Sequence, residues 1–345
     1  WDQTSGANGT LVNPGAGGGT SAFSTATDTA NLTVNPVNDA PVLNGASTPV
    51  LGAINEDAGA PVGAVGTLIS ALVDFAVPAG QVDNVTDPDA GALLGIAVTA
   101  ADITNGSWFY STNNGGVWNA LGAVTGANAR LLAADANTRI YFQPNADFNG
   151  TIVNAITFRA WDQTSGANGT LVNPGAGGGT SAFSTATDTA NLTVNPVNDA
   201  PVNTVPGAQA VNEDTALAIA GVSVNDIDGN LATTRLTVTN GAVTVNLAGG
   251  ATISAGANGS TTLTLSGTQA QINAALATIS YQGNLNFNGA DTLTVLSTDT
   301  NAATDSDPVA ITVNPVNDAP VLNGASTPVL GAINEDAGAP VGAVG

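Results

Sequence analysis

Cysteine, histidine, lysine and methionine are all absent from this chain of 345 residues, and basic residues are reduced to four arginines. Each absence excludes something. Without cysteine there are no disulfides and no thiolate metal sites. Without histidine, cysteine or lysine, general acid–base chemistry is left to carboxylate pairs. The pairs Asp87/Asp89 and Asp226/Asp228 recur at equivalent places in unlike modules, which a repeated structural role explains better than two active sites. No enzyme is expected. Lysine–asparagine isopeptide staples are excluded too.

Against Arg130, Arg139, Arg159 and Arg235 stand 26 acidic residues, giving a formal charge of −22. Nothing here could neutralise a run of phosphates, so nucleic acid is not an expected partner. Anionic membrane surfaces are disfavoured for the same reason, and no apolar run has the length of a membrane span. Carboxylates without basic partners call for abundant water or a divalent cation. Charged residues make up 9% of the chain and hydrophobic ones 43%, enough apolar material for packed cores. The polar surface is therefore built from Thr, Ser, Asn and Gly.

What is present is repetition. The octapeptide Asn-Pro-Val-Asn-Asp-Ala-Pro-Val stands at Asn35–Val42, Asn195–Val202 and Asn314–Val321. Its prolines remove backbone donors and fix φ, so it reads as a short, stiff connector between β-modules. Longer identities surround it: Trp1–Val42 recurs as Trp161–Val202, and Thr33–Gly66 as Thr312–Gly345. The chain divides into the late part of a type A module (1–36), a complete type A module (37–196), a type B module (197–315) and the early part of a further type A module (316–345). The array is expected to continue beyond this window. The two partial modules cannot close a sandwich, so they are expected to be disordered or to complete a neighbour by strand addition.

Within module A, Leu94–Thr99, Ser107–Tyr110, Arg139–Phe142 and Ala155–Ala160 read as strands. Asn113-Asn-Gly-Gly116 predicts a hairpin turn joining Ser107–Tyr110 to Val117-Trp118, and Asp147-Phe-Asn-Gly150 a turn. The Gly-rich run Pro14-Gly-Ala-Gly-Gly-Gly-Thr20 lacks the Lys and following helix of a phosphate cradle and reads as a flexible hairpin tip. Within module B, Leu236–Val238, Val243–Leu247 and Thr261–Leu265 read as strands. Ile272, Leu276 and Ile279 stand at helical spacing behind Thr268, which predicts one short helix with Thr268 as N-cap. Strands recurring between turn signals, in repeats above a hundred residues, imply an all-β fold of tandem sandwich modules in an elongated array.

The modules share a plan. Asp87 to Asp162 is 75 positions and Asp226 to Asp299 is 73, while the extra length of A lies outside that interval. Insertions outside a constant core read as lengthened surface loops.

The ordered signals resemble cadherin repeats, and still more the cadherin-like and immunoglobulin-like tandem repeats of giant bacterial surface adhesins. Ala-Asn-Leu-Thr-Val-Asn-Pro-Val-Asn-Asp-Ala-Pro looks like the cadherin last strand and linker. Glu56, Glu213 and Glu335 answer to an early Glu, Asp87/Asp89 and Asp226/Asp228 to an Asp-x-Asp pair, and Asp162 and Asp299 to a late Asp. The resemblance implies calcium at the module junctions, stiffening a rod. It implies that Asn38 and Asp39 meet Asp87, Asp89 and Asp162. At the next junction Glu56, Asn198 and Asp199 join Asp226, Asp228 and Asp299; Glu213, Asn317 and Asp318 are further candidate metal ligands. There are departures: the leading linker Asp has no counterpart, Ala40 replaces an Asn, and the mid-domain Asp-Arg-Glu is missing. One or two ions per junction are thus expected rather than three. The same residues also read as an Asx-turn before Ala-Pro and as ordinary loop turns.

Three functions follow as expectations. The first is a non-catalytic, extracellular adhesin spacer whose partners are the neighbouring modules. The second is a fibre or sheath in which the repeats self-associate. The third is carbohydrate binding through exposed Trp108, Trp118 or Trp161, and a host or surface glycan or protein is kept as a candidate partner.

Overall fold

The computed structural model describes all residues except 46, 48, 75–83, 339–341 and 343–345. Part of the long stretch between Glu56 and Asp87 in module A therefore lies outside the described residues. The chain forms two compact units, Trp1–Val197 and Asn198–Gly345.

In the first unit a six-stranded sheet runs in the order Leu171–Val172, Ala129–Ala133, Gly95–Ala101, Gly150–Trp161, Asp188–Asn195, Ile54–Asn55. A four-stranded sheet, Thr67–Leu68, Arg139–Pro144, Gly106–Ser111, Asn119–Ala120, supplies the facing layer. Alternation places Ile96, Val98, Ile156, Phe158, Leu192 and Val194 on the inner face, where they meet Trp108, Ile140 and Phe142 in one buried core.

The second unit repeats the plan. Its six-stranded sheet has the order Gln209–Asn212, Thr304–Asn314, Gly289–Asp299, Leu231–Thr237, Thr262–Ser266, Thr252–Gly256, faced by Ala216–Ala218, Ser280–Gly283 and Gly241–Thr244. In both units an early strand pairs parallel with the last one: Ile54 opposite Val194, and Val211 opposite Val313. That pairing holds each Asn-Glu-Asp segment beside the start of an octapeptide. Glu56 N–H donates to Asn195 O, and Glu213 N–H to Asn314 O, each at 2.9 Å.

The helix spans Gln269–Leu276 behind Thr268, whose side chain accepts from Gln271 N–H while the Gln271 side chain accepts from Thr268 N–H, a reciprocal capping box. Ile272, Ala275 and Leu276 are buried on its inner face. A second, four-residue helix, Ser70–Val73, arises in the module A insertion. No helix among the described residues is long and apolar enough to cross a membrane.

Three readings need correction. The hairpin expected at Asn113–Gly116 closes further out, with Phe109 opposite Ala120 and Tyr110 opposite Asn119. Ser111 and Asn113 bind the intervening backbone N–H groups, and Trp118 leaves the ladder to donate to Gly63 O. The insertion 163–183 is not a plain surface loop. Trp161, Ala182 and Phe183 form a small separate core on the outer face of the six-stranded sheet, over Ala97, Ala129 and Leu131. Nor is the Gly-rich run simply a flexible tip. Gly17 has φ +68° and its identical counterpart Gly177 φ +73°, and a Cβ on either would run into the carbonyl of Ser24 or Ser184, so only glycine lets the turn lie this close.

The partial modules behave differently from their identical twins. Trp1–Val34 contains no strand, and Leu32 and Val34 are exposed where Leu192 and Val194 are buried. Among the described residues after Asp318 there is also no strand, and Leu322 and Leu330 are exposed where Leu43 and Leu51 are buried. Neither segment completes a neighbouring sheet here.

Candidate functional site

Each module carries two acidic poles, one at either end of its long strands. At the first pole of module A the turn following Thr86 folds on itself, Asp89 N–H donating to Asp87 Oδ1 at 2.8 Å. The octapeptide then docks on this turn. Asp39 N–H donates to Asp89 Oδ2 at 2.8 Å, and Asn38 Nδ2 to Asp162 Oδ2 at 2.9 Å. Asp162 ends the long strand Gly150–Trp161 and is buried, its other oxygen accepting from Thr164 N–H and Oγ1.

Module B makes the same bonds with its own residues. Asp199 N–H donates to Asp228 Oδ2 and Asn198 Nδ2 to Asp299 Oδ2, both at 2.7 Å. Asp299 is buried and accepts from Asn301 N–H and Ala303 N–H on its other oxygen. Asp226, also buried, receives no bond from the octapeptide; its own N–H is held by Gln269 at the start of the helix.

The second pole centres on the early Glu. Glu56 is buried and accepts from Val197 N–H and from Asn149 Nδ2, the latter at 2.8 Å. Glu213 is buried likewise and accepts from Val316 N–H and from Asn288 Nδ2 at 3.1 Å. Beside them Asp57 accepts from Asp147 N–H at 3.0 Å, and Asp214 from Asn286 N–H at 2.9 Å. The flanking Asp57, Asp147, Asp214 and Asn286 all have φ near +60°, which Asp and Asn tolerate better than other side chains.

These flanking residues escaped the sequence reading. Asp147-Phe-Asn-Gly150 was legible only as a turn, matched in module B by Phe287-Asn-Gly289. The usable signal was their recurrence at one offset before the long strands Gly150–Trp161 and Gly289–Asp299. Asn317 and Asp318, in contrast, are exposed. With the Asn286 amide turned so that its nitrogen faces the carboxylates, it donates to Asp318 at 3.1 Å and Asp214 at 3.3 Å. Asn317 Nδ2 reaches the Asp318 carbonyl at 3.3 Å. Glu335, the twin of Glu56, is exposed.

The electrostatics of the two kinds of carboxylate differ. Backbone N–H of Val316, then the Asn288 amide, holds the Glu213 carboxyl below its ordinary range. The Asn198 amide, with the backbone N–H groups of Ala303 and Asn301, does the same for Asp299. Asp87 goes the other way. Burial pushes it up, with the carboxylates of Asp162, Asp89 and Asp39 adding to this against the lowering bond from Asp89 N–H. Its Oδ2 is buried without a hydrogen-bond partner. A buried carboxylate oxygen lacking a donor and crowded by like charge is the environment a hard cation relieves. The arginines of module A are bonded elsewhere: Arg130 and Arg159 donate to backbone carbonyls, and Arg139 to Gly66 O and Asn114 Oδ1. The donor set at the first pole is all oxygen and fits calcium; it would fit no thiolate- or imidazole-seeking metal.

The tryptophans do not form a sugar platform as a set. Trp108 and Trp161 are buried, Trp108 packing on Phe142 at 4.9 Å and donating to Asp102 O. Trp118 is half-buried beside Tyr141.

A family model for the Protein GAMETE EXPRESSED 2 domain matches residues 220–307, well under half of the chain. No curated protein matches. Among solved structures, the chain is similar to the Clostridium thermocellum CbhA fibronectin(III)-like modules at 14% identity, covering 66% of this chain and 90% of that one, with a TM-score of 0.21. It is similar to protocadherin gamma B7 extracellular cadherin domains 1-4 at 12% identity and TM-score 0.35, covering 80% of this chain and 50% of that one. Human mucin-like protocadherin EC1-2 matches at 12% identity and TM-score 0.30, over 80% of this chain and 98% of that one. The chain thus spans half the length of the gamma protocadherin structure and nearly all of the mucin-like one. Both units here are all-β sandwiches, and the matches are to β-domains of the fibronectin(III) and cadherin kind.

Proposed function

We propose that this chain is a non-catalytic, extracellular repeat region of a large bacterial surface protein, a spacer whose modules are stiffened by calcium at their junctions. One observation supports it above the others. Two modules that differ in length and insertions dock the octapeptide at the first pole and brace the early Glu at the second through the same bonds at the same places. Selection for a turn alone does not need buried Glu56, Asp162, Glu213, Asp226 and Asp299, because carboxylates are rarely buried without a paired charge or dense hydrogen bonding.

Asn38, Asp39, Asp87, Asp89 and Asp162 would hold the ion at the first pole of module A, and Asn198, Asp199, Asp226, Asp228 and Asp299 at that of module B. Glu56 and Glu213, with Asp57 and Asp214, would serve the second poles. Bound calcium supplies charge neutralisation to carboxylates that have no basic partner. The octapeptide takes part at both ends: Val197 bonds Glu56 in one module, while Asn198 and Asp199 bond Asp299 and Asp228 in the next. Ions at these poles would restrict the linker torsions. The partners of such a spacer are the neighbouring modules themselves.

The test is small-angle scattering and thermal melting of the whole chain, with calcium and with chelator. The expected result is a larger maximum dimension and a higher melting temperature with calcium, since a ligand of the native state stabilises it. Identical dimensions and melts in both conditions would sink the proposal. Calcium-driven growth into long particles would favour a fibre built from the repeats.

A further inference from the structure

We propose that Asn149–Gly150 and Asn288–Gly289 are hydrolytic modification sites, at which slow loss of ammonia turns the second pole of each module from amide-braced to fully acidic. The proposal rests on three observations. Each asparagine precedes a glycine, so no β-carbon hinders attack by the following backbone nitrogen. Both asparagines and both glycines are exposed. Each glycine opens a strand, Gly150–Trp161 or Gly289–Asp299, and forms its terminal pair, with Val194 or Val313, where the ladder frays first. Space around them is also free: a Cβ on Gly150 would meet nothing within 4 Å, and one on Gly289 would meet only the Phe287 ring, no nearer than 3.7 Å.

The chemistry needs no co-reactant except water. The glycine nitrogen attacks the asparagine Cγ, a five-membered imide closes, and the side-chain nitrogen leaves as ammonia with the proton from the attacking nitrogen. Water then opens either imide carbonyl. One water is consumed, one ammonia is released, and the product is aspartate or its β-linked isomer.

The consequence follows from what these amides touch. Asn149 Nδ2 donates to Glu56 and Asn288 Nδ2 donates to Glu213. Conversion removes a donor and sets a second negative charge against a buried glutamate, which like-charge repulsion disfavours unless a cation is bound. Module A already carries Asp147 beside this position where module B carries Asn286. The modified pole of A is therefore the more acidic of the two. The hydrolysis stands independently of calcium; its effect on calcium dependence rests on the function proposed above.

The chain supplies its own reference sites. Asn8–Gly9 and Asn168–Gly169 share one local sequence, but Asn8 is exposed, whereas Asn168 is tied to Ala133 N–H and to Thr138 Oγ1 at 3.1 and 2.8 Å. The whole chain is held in warm, mildly alkaline buffer, and each site is followed by peptide mapping with mass spectrometry. Asn149 and Asn288, held through Nδ2 where Asn168 is held at both amide atoms, should convert more slowly than Asn8 and many-fold faster than Asn168. Rates as slow as that of Asn168 overturn the proposal. The double variant Asn149→Asp, Asn288→Asp should melt lower than the parent in chelator and gain more on adding calcium. An unchanged melt in chelator overturns the claimed effect on the pole. If calcium moves neither parent nor variant, the calcium reading fails, while the mapping still decides the chemistry.

Discussion

Asp162 and Asp299 each end a long strand and accept an asparagine amide from the octapeptide, while Asp2, the identical twin of Asp162, is exposed and its carboxylate accepts from Thr4. What buries a carboxylate here is its tertiary surroundings, the sheet and the docked linker, not the local sequence. This makes the poles acid-sensitive in a definite direction. Glu213 and Asp299 are held below their ordinary range, so their contribution to stability is present above the unfolded pKa and is lost as pH falls through the folded one. Asp87, raised by burial and its neighbours, has the opposite sign: it favours the fold at low pH and opposes it once ionised. The second unit should therefore melt at progressively lower temperature as pH falls below about 4, the ordinary carboxylate region. Asn198→Ala removes the largest cause of the Asp299 depression. Its acid transition should shift to higher pH, and a melting series across pH on parent and variant reads this directly. An unshifted transition would separate Asn198 from the ionisation of Asp299.

At the scale of elements, two identical sequences in different surroundings separate local from tertiary causes. The turns of 161–186 recur in 1–26: the indole nitrogen of Trp1 donates to Ser5 O at 2.7 Å and that of Trp161 to Ser165 O at 2.8 Å, and Gly18 and Gly178 both close on the following phenylalanine carbonyl. The strands do not recur. Asp188–Asn195 forms because Gly150–Trp161 lies beside it, and residues 28–35 have no such neighbour. This also explains what the sequence could reveal. The helix was legible because Thr268 and the spacing of Ile272, Leu276 and Ile279 are local signals. The central strands were legible by alternation, and the first poles by the order of the acidic motifs. Illegible were the parts played by Asp147-Phe-Asn149, which reads locally as a plain turn, and the outer core of Trp161 and Phe183, because apolar residues set among glycines carry no period. Trp161→Ala should destabilise the first unit by about 3–5 kcal/mol, the usual cost of truncating a buried large aromatic. Trp1→Ala, the same change in the same local sequence, should stay within about 0.5 kcal/mol. Urea unfolding of both variants checks this, and equal losses would mean that the outer core contributes nothing of its own.

For the whole molecule, the distribution of order should govern where the chain can be cut. Proteases act on backbone that can leave its hydrogen bonds, and exposed segments without strand pairing meet that requirement without unfolding a core. Segments 1–36 and 319–338 are of this kind, whereas the two sandwiches hide their apolar side chains in separate cores. Trypsin has only Arg130, Arg139, Arg159 and Arg235 to attack. Three of these are committed to backbone carbonyls of packed turns, so tryptic cleavage should report opening of the cores. Chymotrypsin should instead act first near Leu11, Phe23, Leu32, Leu322 and Leu330, leaving a resistant fragment close to 40–316. If calcium is a ligand of the poles, it should slow the tryptic cuts without changing the early chymotryptic ones, because only the former require the cores to open. Equal protection of both sets would mean that the ion orders the terminal segments as well. Protection of neither, at calcium concentrations that raise the melting temperature, would mean that cleavage proceeds through local openings distant from the poles.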